Sequence, residues 1–316
     1  MLLAQENKRI SILNDRAKML RQARLFFEER GVIEVDCPLL SPLASVDAHI
    51  DLIPAKYAGT ETCYLHSSPE YGMKRLLSEG IGDIYQLSHV FRDGELGRYH
   101  NPEFMMAEWY RKDISFEEMI QETADFIRLF IGEKPLNIIS YREALLTHIG
   151  IDYVKASIQE MQNILSNYDP YLDLPNERDD LLNLLLGLFV EPKLGKDGLS
   201  ALAYYPASQA ALAKTKNIDD EFVAERFEIY FQGVELANGY HELLDVKEQK
   251  KRLKEANLQR ETMGKNSLPI DDRFLEALEN GLPDSCGVAV GFDRLMMLRH
   301  QTEDLASVVP FAWTKA

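Results

Sequence analysis

The chain has 316 residues and a formal net charge of −16, from 35 Lys and Arg against 51 Asp and Glu. That balance argues against a large phosphate-binding surface, because duplex or tRNA affinity comes mainly from Lys and Arg displacing counterions. It leaves room for a local basic patch. Composition is ordinary for a globular protein, 46% hydrophobic and 27% charged without repeat or low-complexity tract, and the length suits one large domain or two smaller ones.

The N-terminus, Met1 to Asn7, lacks an apolar core long enough for a signal peptide. The greasiest run, Leu181 to Val190, is ten residues, about half a membrane span, and reads as a buried helix. Cys37, Cys63 and Cys286 show no paired spacing, so neither a disulfide framework nor a zinc site is suggested. A soluble, cytoplasmic protein is expected.

Ile10, Leu13, Ala17, Leu20 and Phe27 are spaced by helical turns, which predicts a long amphipathic helix over about 6–30, stopped by Gly31. Val32 to Val35 is then a short strand ended by Pro38; the unit suits dimerisation or simple core packing. Residues 40–63 read as loop and short strands. Ser67-Ser68-Pro69-Glu70 is a turn feeding a helix, with Pro69 suited to the first helical position and Glu70 near the positive end. That helix runs to the Gly80-Ile81-Gly82 break. Asp83 to Arg92 is a strand, Gly94 to Pro102 a polar loop, and Glu103 to Arg111 a returning strand. Ser115-Phe116-Glu117-Glu118 matches a capping box and opens a helix to about Ile131.

Roughly 135–215 reads as mostly helical. Phe227 to Phe231 and Val234 to Leu243 form strands around a turn at Gly233, and Asp245 to Lys265 is a charged, solvated helix. Cys286 to Gly291 is a strand whose Gly287, Ala289 and Gly291 leave one face nearly bare. From Phe292 the period becomes helical, with Leu295, Met296 and Leu298 available to a core. Arg294 is thereby placed at a strand-to-helix junction, in reach of a ligand over the bare face. No linker divides the chain, and the reading is one α+β domain with a mainly antiparallel sheet.

Arg92 and Arg294 are the candidate phosphate ligands, since a planar guanidinium donates two parallel hydrogen bonds. Glu235 and Glu242 are seven residues apart, an odd spacing that puts them on opposite strand faces unless a bulge intervenes, which Asn238-Gly239 would supply. Converging, they would hold Mg2+ against phosphate oxygens. Phe104 offers a flat face for a base, and Tyr110 and Glu70 suit a pocket for an amine. Each has an ordinary alternative: Glu70 a helix cap, Arg92 and Glu235 surface ion pairs, Phe104 and Tyr110 packing. No Walker loop, metalloprotease or Ser-His-Asp pattern is present.

The stretch from Phe91-Arg92-Asp93-Gly94-Glu95 to Asn101-Pro102-Glu103-Phe104 resembles motif 2 of class II aminoacyl-tRNA synthetases of the lysine type. Gly287 to Leu295 resembles motif 3, Arg24 to Pro38 resembles motif 1, and Ser68-Pro69-Glu70-Tyr71 with Met73-Lys74-Arg75-Leu76 resembles the lysine-type substrate loop. Tyr205-Pro206-Ala207-Ser208-Gln209-Ala210 and Gly233 to Leu243 are similar to the elongation factor P–(R)-β-lysine ligase family, synthetase paralogues reduced to the catalytic core.

The resemblance implies a single class II catalytic domain over 1–316 without an anticodon-binding domain, using ATP and Mg2+. It implies (R)-β-lysine as substrate, elongation factor P as protein partner, no tRNA, no membrane, and a homodimer through the motif 1 region. It assigns Ser68, Pro69, Glu70, Tyr110, Asn238, Glu242 and Ala289 to the amino acid. Arg92, Asp93, His100, Asn101, Phe104, Glu235, Leu236, Gly291 and Arg294 go to ATP, with Arg92 and Arg294 catalytic and Glu235 and Glu242 on the metal. Ala289 stands where the lysyl synthetase motif has glycine, and one methyl is worth about 1–3 kcal/mol of discrimination. Gly94 stands where the family's motif 2 usually has glutamate, with Glu95 next. The alternatives are a freestanding lysyl-tRNA synthetase-like core and a non-catalytic regulatory paralogue.

Overall fold

The computed structural model describes residues 2–43 and 45–316, with side chains from residue 8 onward. The chain opens with helix α1 (Leu2–Glu28), then strands β1 (Ile33–Glu34), β2 (Leu40–Ser41), β3 (Pro54–Tyr57) and β4 (Glu61–Leu65). Helix α2 (Glu70–Ser78) leads into β5 (Ile84–Phe91), β6 (Glu103–Lys112) and helix α3 (Phe116–Ile131). Strand β7 (Leu136–Ser140), helices α4 (Tyr141–Ile149), α5 (Ile158–Tyr168) and α6 (Arg178–Leu185) and strand β8 (Leu199–Pro206) follow. Strands β9 (Thr215–Ile218), β10 (Glu221–Phe231) and β11 (Val234–His241) precede α7 (Val246–Thr262), α8 (Asp272–Glu279), β12 (Ser285–Gly291) and α9 (Phe292–Arg299). The fold is α+β with mostly antiparallel pairing, and it divides into two compact units. Among the described residues no helix is long and apolar enough to cross a membrane.

The first unit comprises 1–115, 125–132 and 242–316. Its strands run β1-β5-β6-β12, with β1 parallel to β5 and the others antiparallel, beside a small β2-β4-β3 sheet. Phe27 centres its core, stacked on Tyr85 at 4.2 Å and meeting Trp109 at 5.2 Å and Phe126 at 5.3 Å. The buried face of α1 is Ile12, Arg16, Met19, Ala23, Phe26 and Phe27, not the expected stripe: Ile10 and Ala17 are exposed. The reason is electrostatic. Arg16 is drawn inward by an ion pair with buried Asp293, whose other oxygen accepts from the Met105 amide at 2.8 Å. Gly31 ends the helix region with φ +67, and in α9 Met297 is buried where Leu298 was expected, Leu298 being half-buried.

The second unit comprises 116–124 and 133–241. Its strands run β11-β10-β8-β7, with β9 on β10; β7 and β8 are parallel and the rest antiparallel. The region expected to be mostly helical thus contributes two strands, β7 and β8. The apolar run from Leu181 is α6 continuing into a π turn over Leu186–Val190, and its Leu181, Leu182, Leu185, Leu186 and Val190 are buried. Ser140 caps α4 by accepting from the Glu143 amide, and Ser157 with Glu160 forms a capping box on α5. The β10–β11 turn places both Gln232 (φ +53) and Gly233 (φ +75) in the left-handed region, as a two-residue hairpin turn requires.

Truncating Phe27 removes the ring that four aromatic neighbours share. Phe27→Ala should lower unfolding stability by about 3–5 kcal/mol in urea titration; a loss under about 1 kcal/mol would show that the core is centred elsewhere.

Candidate active site

The first unit's site is built on β12. Antiparallel register sets Gly287 opposite Tyr110, Ala289 opposite Glu108 and Gly291 opposite Met106. Side chains from elsewhere occupy the space over Gly287: a Cβ there would fall on the Tyr110 ring and 2.5 Å from Glu242 Oε1. The glycine is therefore required by close approach of a ring and a carboxylate, as the bare-face reading expected. Gly291 is less constrained, since a Cβ there would make ordinary contact at 3.6 Å with the Arg294 side chain folded back over it.

Helix α2 brings a second set of charges. Pro69 is the residue just before its first turn, one position earlier than expected, and Glu70 begins the helix. Lys74 is 2% exposed, and its ammonium lies 2.5 Å from Glu70 Oε1 and 2.6 Å from Glu242 Oε2. Burial alone would lower an ammonium's pKa; the carboxylates of Glu242 and Glu70 overcome it and hold Lys74 well above its ordinary range. Glu108 is buried too, accepting from the Tyr110 hydroxyl at 2.8 Å, while its Oε2 has no hydrogen-bond partner among the described residues. Burial, reinforced by the charge of Glu70, pushes its carboxyl up to about 8, so it carries a proton at neutral pH. Burial, with Glu108 next, drives the Tyr110 phenol well up. Tyr110, Glu70 and Glu242, all expected to serve an amine, are thus brought together. Ser68 is half-buried just before the helix.

The loop between β5 and β6 gathers the nucleotide candidates. The Arg92 guanidinium lies 5.1 Å from the Phe104 ring centroid, its amide donates to Pro102, and its Nε has no hydrogen-bond partner among the described residues. Gly94 has φ +74 with open space beyond it, so the turn needs a glycine, and Glu95 instead approaches Arg92 at 3.7 Å. Arg294 donates to the Tyr99 carbonyl at 3.4 Å and meets His100 Nε2 at 2.9 Å. Burial, then the Arg294 charge, lowers the His100 pKa, which makes its imidazole the neutral acceptor of that contact. Asn101 is buried, donating to the Glu103 carbonyl at 2.6 Å and accepting from the Trp313 amide at 3.0 Å, so its side chain shapes the loop. The Asp93 amide donates to the Asp51 carbonyl.

The second unit carries Glu235, Leu236 and Asn238 on β11. The bulge is at Leu236, not at Asn238-Gly239: Ile229 pairs Ala237 while Tyr230 pairs Glu235, so Leu236 is the extra residue. It sends buried Leu236 inward and puts Glu235 on the face that Asn238 and Tyr240 share. Opposite Asn238 stands Glu228, which accepts from the Tyr230 hydroxyl at 2.5 Å; burial first, then the charge of Glu228, raises the Tyr230 phenol. Of the carboxylates expected to share Mg2+, Glu242 is already engaged by an ammonium. That pairing suits an amine and does not fit a divalent cation. Among the described residues no group of three or more His, Cys, Asp or Glu is placed to hold a metal.

Sequence reading missed Lys74 and Glu108. Both left a signal: Glu70 and Lys74 have the i,i+4 spacing of a helical ion pair, and Glu108 interrupts an apolar strand two residues from Tyr110.

The proton on Glu108 makes stability depend on pH. Unfolded, the carboxyl ionises near its ordinary 4.5; folded, it does so near about 8. Through that window the unfolded chain has shed a proton that the native state keeps, so stability falls as pH rises. Glu108→Gln should gain about 2 kcal/mol or more on the parent between pH 5 and pH 8 in urea titrations. An unchanged difference would place the proton elsewhere.

Comparison with known proteins converges on the same chemistry. The family tRNA synthetases class II (D, K and N) matches residues 1–315. The elongation factor P–(R)-β-lysine ligase of Edwardsiella ictaluri is 41% identical over 99% of this chain and 98% of its own length. The ligases of the same name from Salmonella typhi and Hamiltonella defensa are each 40% identical with the same coverage. The chain therefore belongs to the class II tRNA synthetases of the D, K and N type, and within them to the family of the elongation factor P–(R)-β-lysine ligases.

Proposed function

We propose that this protein is an ATP-dependent, AMP-forming ligase that activates (R)-β-lysine and transfers it to the ε-amine of a lysine on elongation factor P. The observation that carries this is the buried cluster over β12, where Glu70 and Glu242 flank the Lys74 ammonium and Glu242 Oε1 lies over the bare strand face at Gly287. Such carboxylates recognise a diamino acid and reject neutral analogues, whose binding would leave them unpaired. The full-length relatives named for this reaction point the same way. Ser68, Pro69 and Tyr110 complete the amino-acid subsite, to which the motif resemblance also assigns Asn238. The Ala289 methyl, on the same strand face as Gly287, biases it toward a shifted amino group.

In the first step a carboxylate oxygen of the amino acid attacks the α-phosphorus of ATP. The bond to the bridging oxygen breaks, and pyrophosphate leaves. Arg92 and Arg294 counter the charge that develops on the phosphoryl oxygens, and the flat Phe104 face and the Asp93, His100, Asn101 and Gly291 surroundings seat the nucleotide, to which the motif resemblance also assigns Leu236. In the second step the neutral ε-amine of the acceptor attacks the acyl carbon, the acyl–phosphate bond breaks, and AMP departs with the electron pair while the amine sheds its proton. Mg2+ would screen ATP phosphates, with Glu235 the remaining carboxylate expected to hold it. A cytoplasmic homodimer through the motif 1 region fits the exposed apolar side chains Ile10 and Leu25 on α1 and Ile33 on β1.

ATP–pyrophosphate exchange should proceed with (R)-β-lysine in preference to α-lysine, followed by one lysyl mass added to elongation factor P. Arg294→Ala should slow exchange by about 10²–10³-fold. Exchange with α-lysine and charging of tRNA would favour a synthetase core instead, and full activity of the arginine variant would remove its catalytic role. Sedimentation should give a dimer; a stable 36.2 kDa monomer would sink that part of the reading.

A further inference from the structure

A buried cation stands between the two carboxylates that serve the substrate. Lys74 is not itself in a position to meet a ligand from solvent, being 2% exposed, with its whole stem inside. Its ammonium spans Glu70 Oε1 at 2.5 Å and Glu242 Oε2 at 2.6 Å. Glu242 is fully buried beside it, whereas Glu70 retains a partly open side chain at 16%. Because Lys74 takes Glu242 Oε2, the other oxygen, Oε1, is the one turned over Gly287 next to the Tyr110 ring.

Stability is a poor explanation for this triad. Buried ion pairs spend in desolvation most of what they regain in attraction, and well-packed apolar residues often replace them without loss. A second carboxylate raises that cost further. What the ammonium does achieve is orientation: it fixes which oxygen of each carboxylate faces elsewhere. Phe274 and Tyr110 hold Lys74 in turn, with their ring centroids 6.0 and 5.9 Å from its nitrogen, and Phe274 is locked by stacking on Tyr71 at 4.0 Å.

We propose that Lys74 is a positioning residue for the amino-acid substrate, its bridging ammonium presenting Glu70 and Glu242 to the substrate's amines. The inference rests on the ligase reading above. It predicts a separation between the two substrates of the activation step. In ATP–pyrophosphate exchange, Lys74→Met should raise the KM for (R)-β-lysine about tenfold or more and leave the KM for ATP within about twofold. Loss of the buried charge endangers folding, so Lys74→Arg is measured beside it: this variant keeps the charge but not the compact head, and should fold while showing the same one-sided rise. Lys74→Ala should recover a low (R)-β-lysine KM with added propylammonium and not with propanol. An unchanged (R)-β-lysine KM in either folded variant, or equal rises for amino acid and ATP, overturns the assignment. Absence of exchange in the parent protein with any diamino acid would instead overturn the ligase reading, and this inference with it.

Discussion

The site depends on a strand that has no side chain where one is expected. At Gly287 the Tyr110 ring and the Glu242 carboxylate both lie against backbone, and even a methyl there would overlap them. That approach makes β12 a floor rather than a wall. It also fixes Tyr110, whose hydroxyl is tethered to Glu108 two residues back along β6. Asp293 continues the same logic at the end of the strand. By pairing with Arg16 of α1 and accepting from the Met105 amide on β6, it pins the start of α9, so that Arg294 leaves the helix toward Tyr99 and His100.

Around this floor, charge is arranged so that similar groups behave differently. Three buried or half-buried glutamates surround Lys74 and Tyr110, yet they differ in what satisfies them. Glu70 and Glu242 share an ammonium. Glu108 has only a phenol, so burial prevails and it holds its proton. The result is two carboxylates directed at an ammonium and one neutral acid, with no excess of negative charge beyond what a cationic substrate can balance. Environment, not residue type, makes that distinction.

Much of this is legible in the residue pattern. The bare face of β12, the β5–β6 hairpin, the charged α7 and the strand-to-helix placement of Arg294 follow from spacing and residue type alone. What failed did so for definite reasons. The α1 stripe was misplaced because its buried face contains Arg16, and an arginine paired with Asp293 across 277 residues leaves no apolar period to read. β8 escaped notice because alanines and tyrosines there do not alternate, and Tyr204 even takes a positive φ of 60°. The first half of β10 was missed because Glu221, Glu225 and Arg226 look solvated, whereas Glu225 is paired with His241 at 2.8 Å and Lys216 at 2.7 Å. The bulge was anticipated but put at Asn238-Gly239, where composition favoured it; buried Leu236 occupies it instead.

The same partnership explains why a metal reading of Glu242 was attractive and why an amine reading is better. A carboxylate expected beside phosphate ligands invites a divalent cation. Dehydrating Mg2+ is costly, however, and the ion keeps water and phosphate oxygens wherever it can. A carboxylate at 1% exposure, with one oxygen already paired to Lys74, is a poor match for an ion that holds its water so firmly. It offers instead a short, directional acceptor in a low-dielectric recess, where an ammonium gains most and a neutral analogue loses most. On the proposed reading, selectivity for a diamino acid follows from depth and pairing in the recess, while handling of phosphate falls to Arg92 and Arg294.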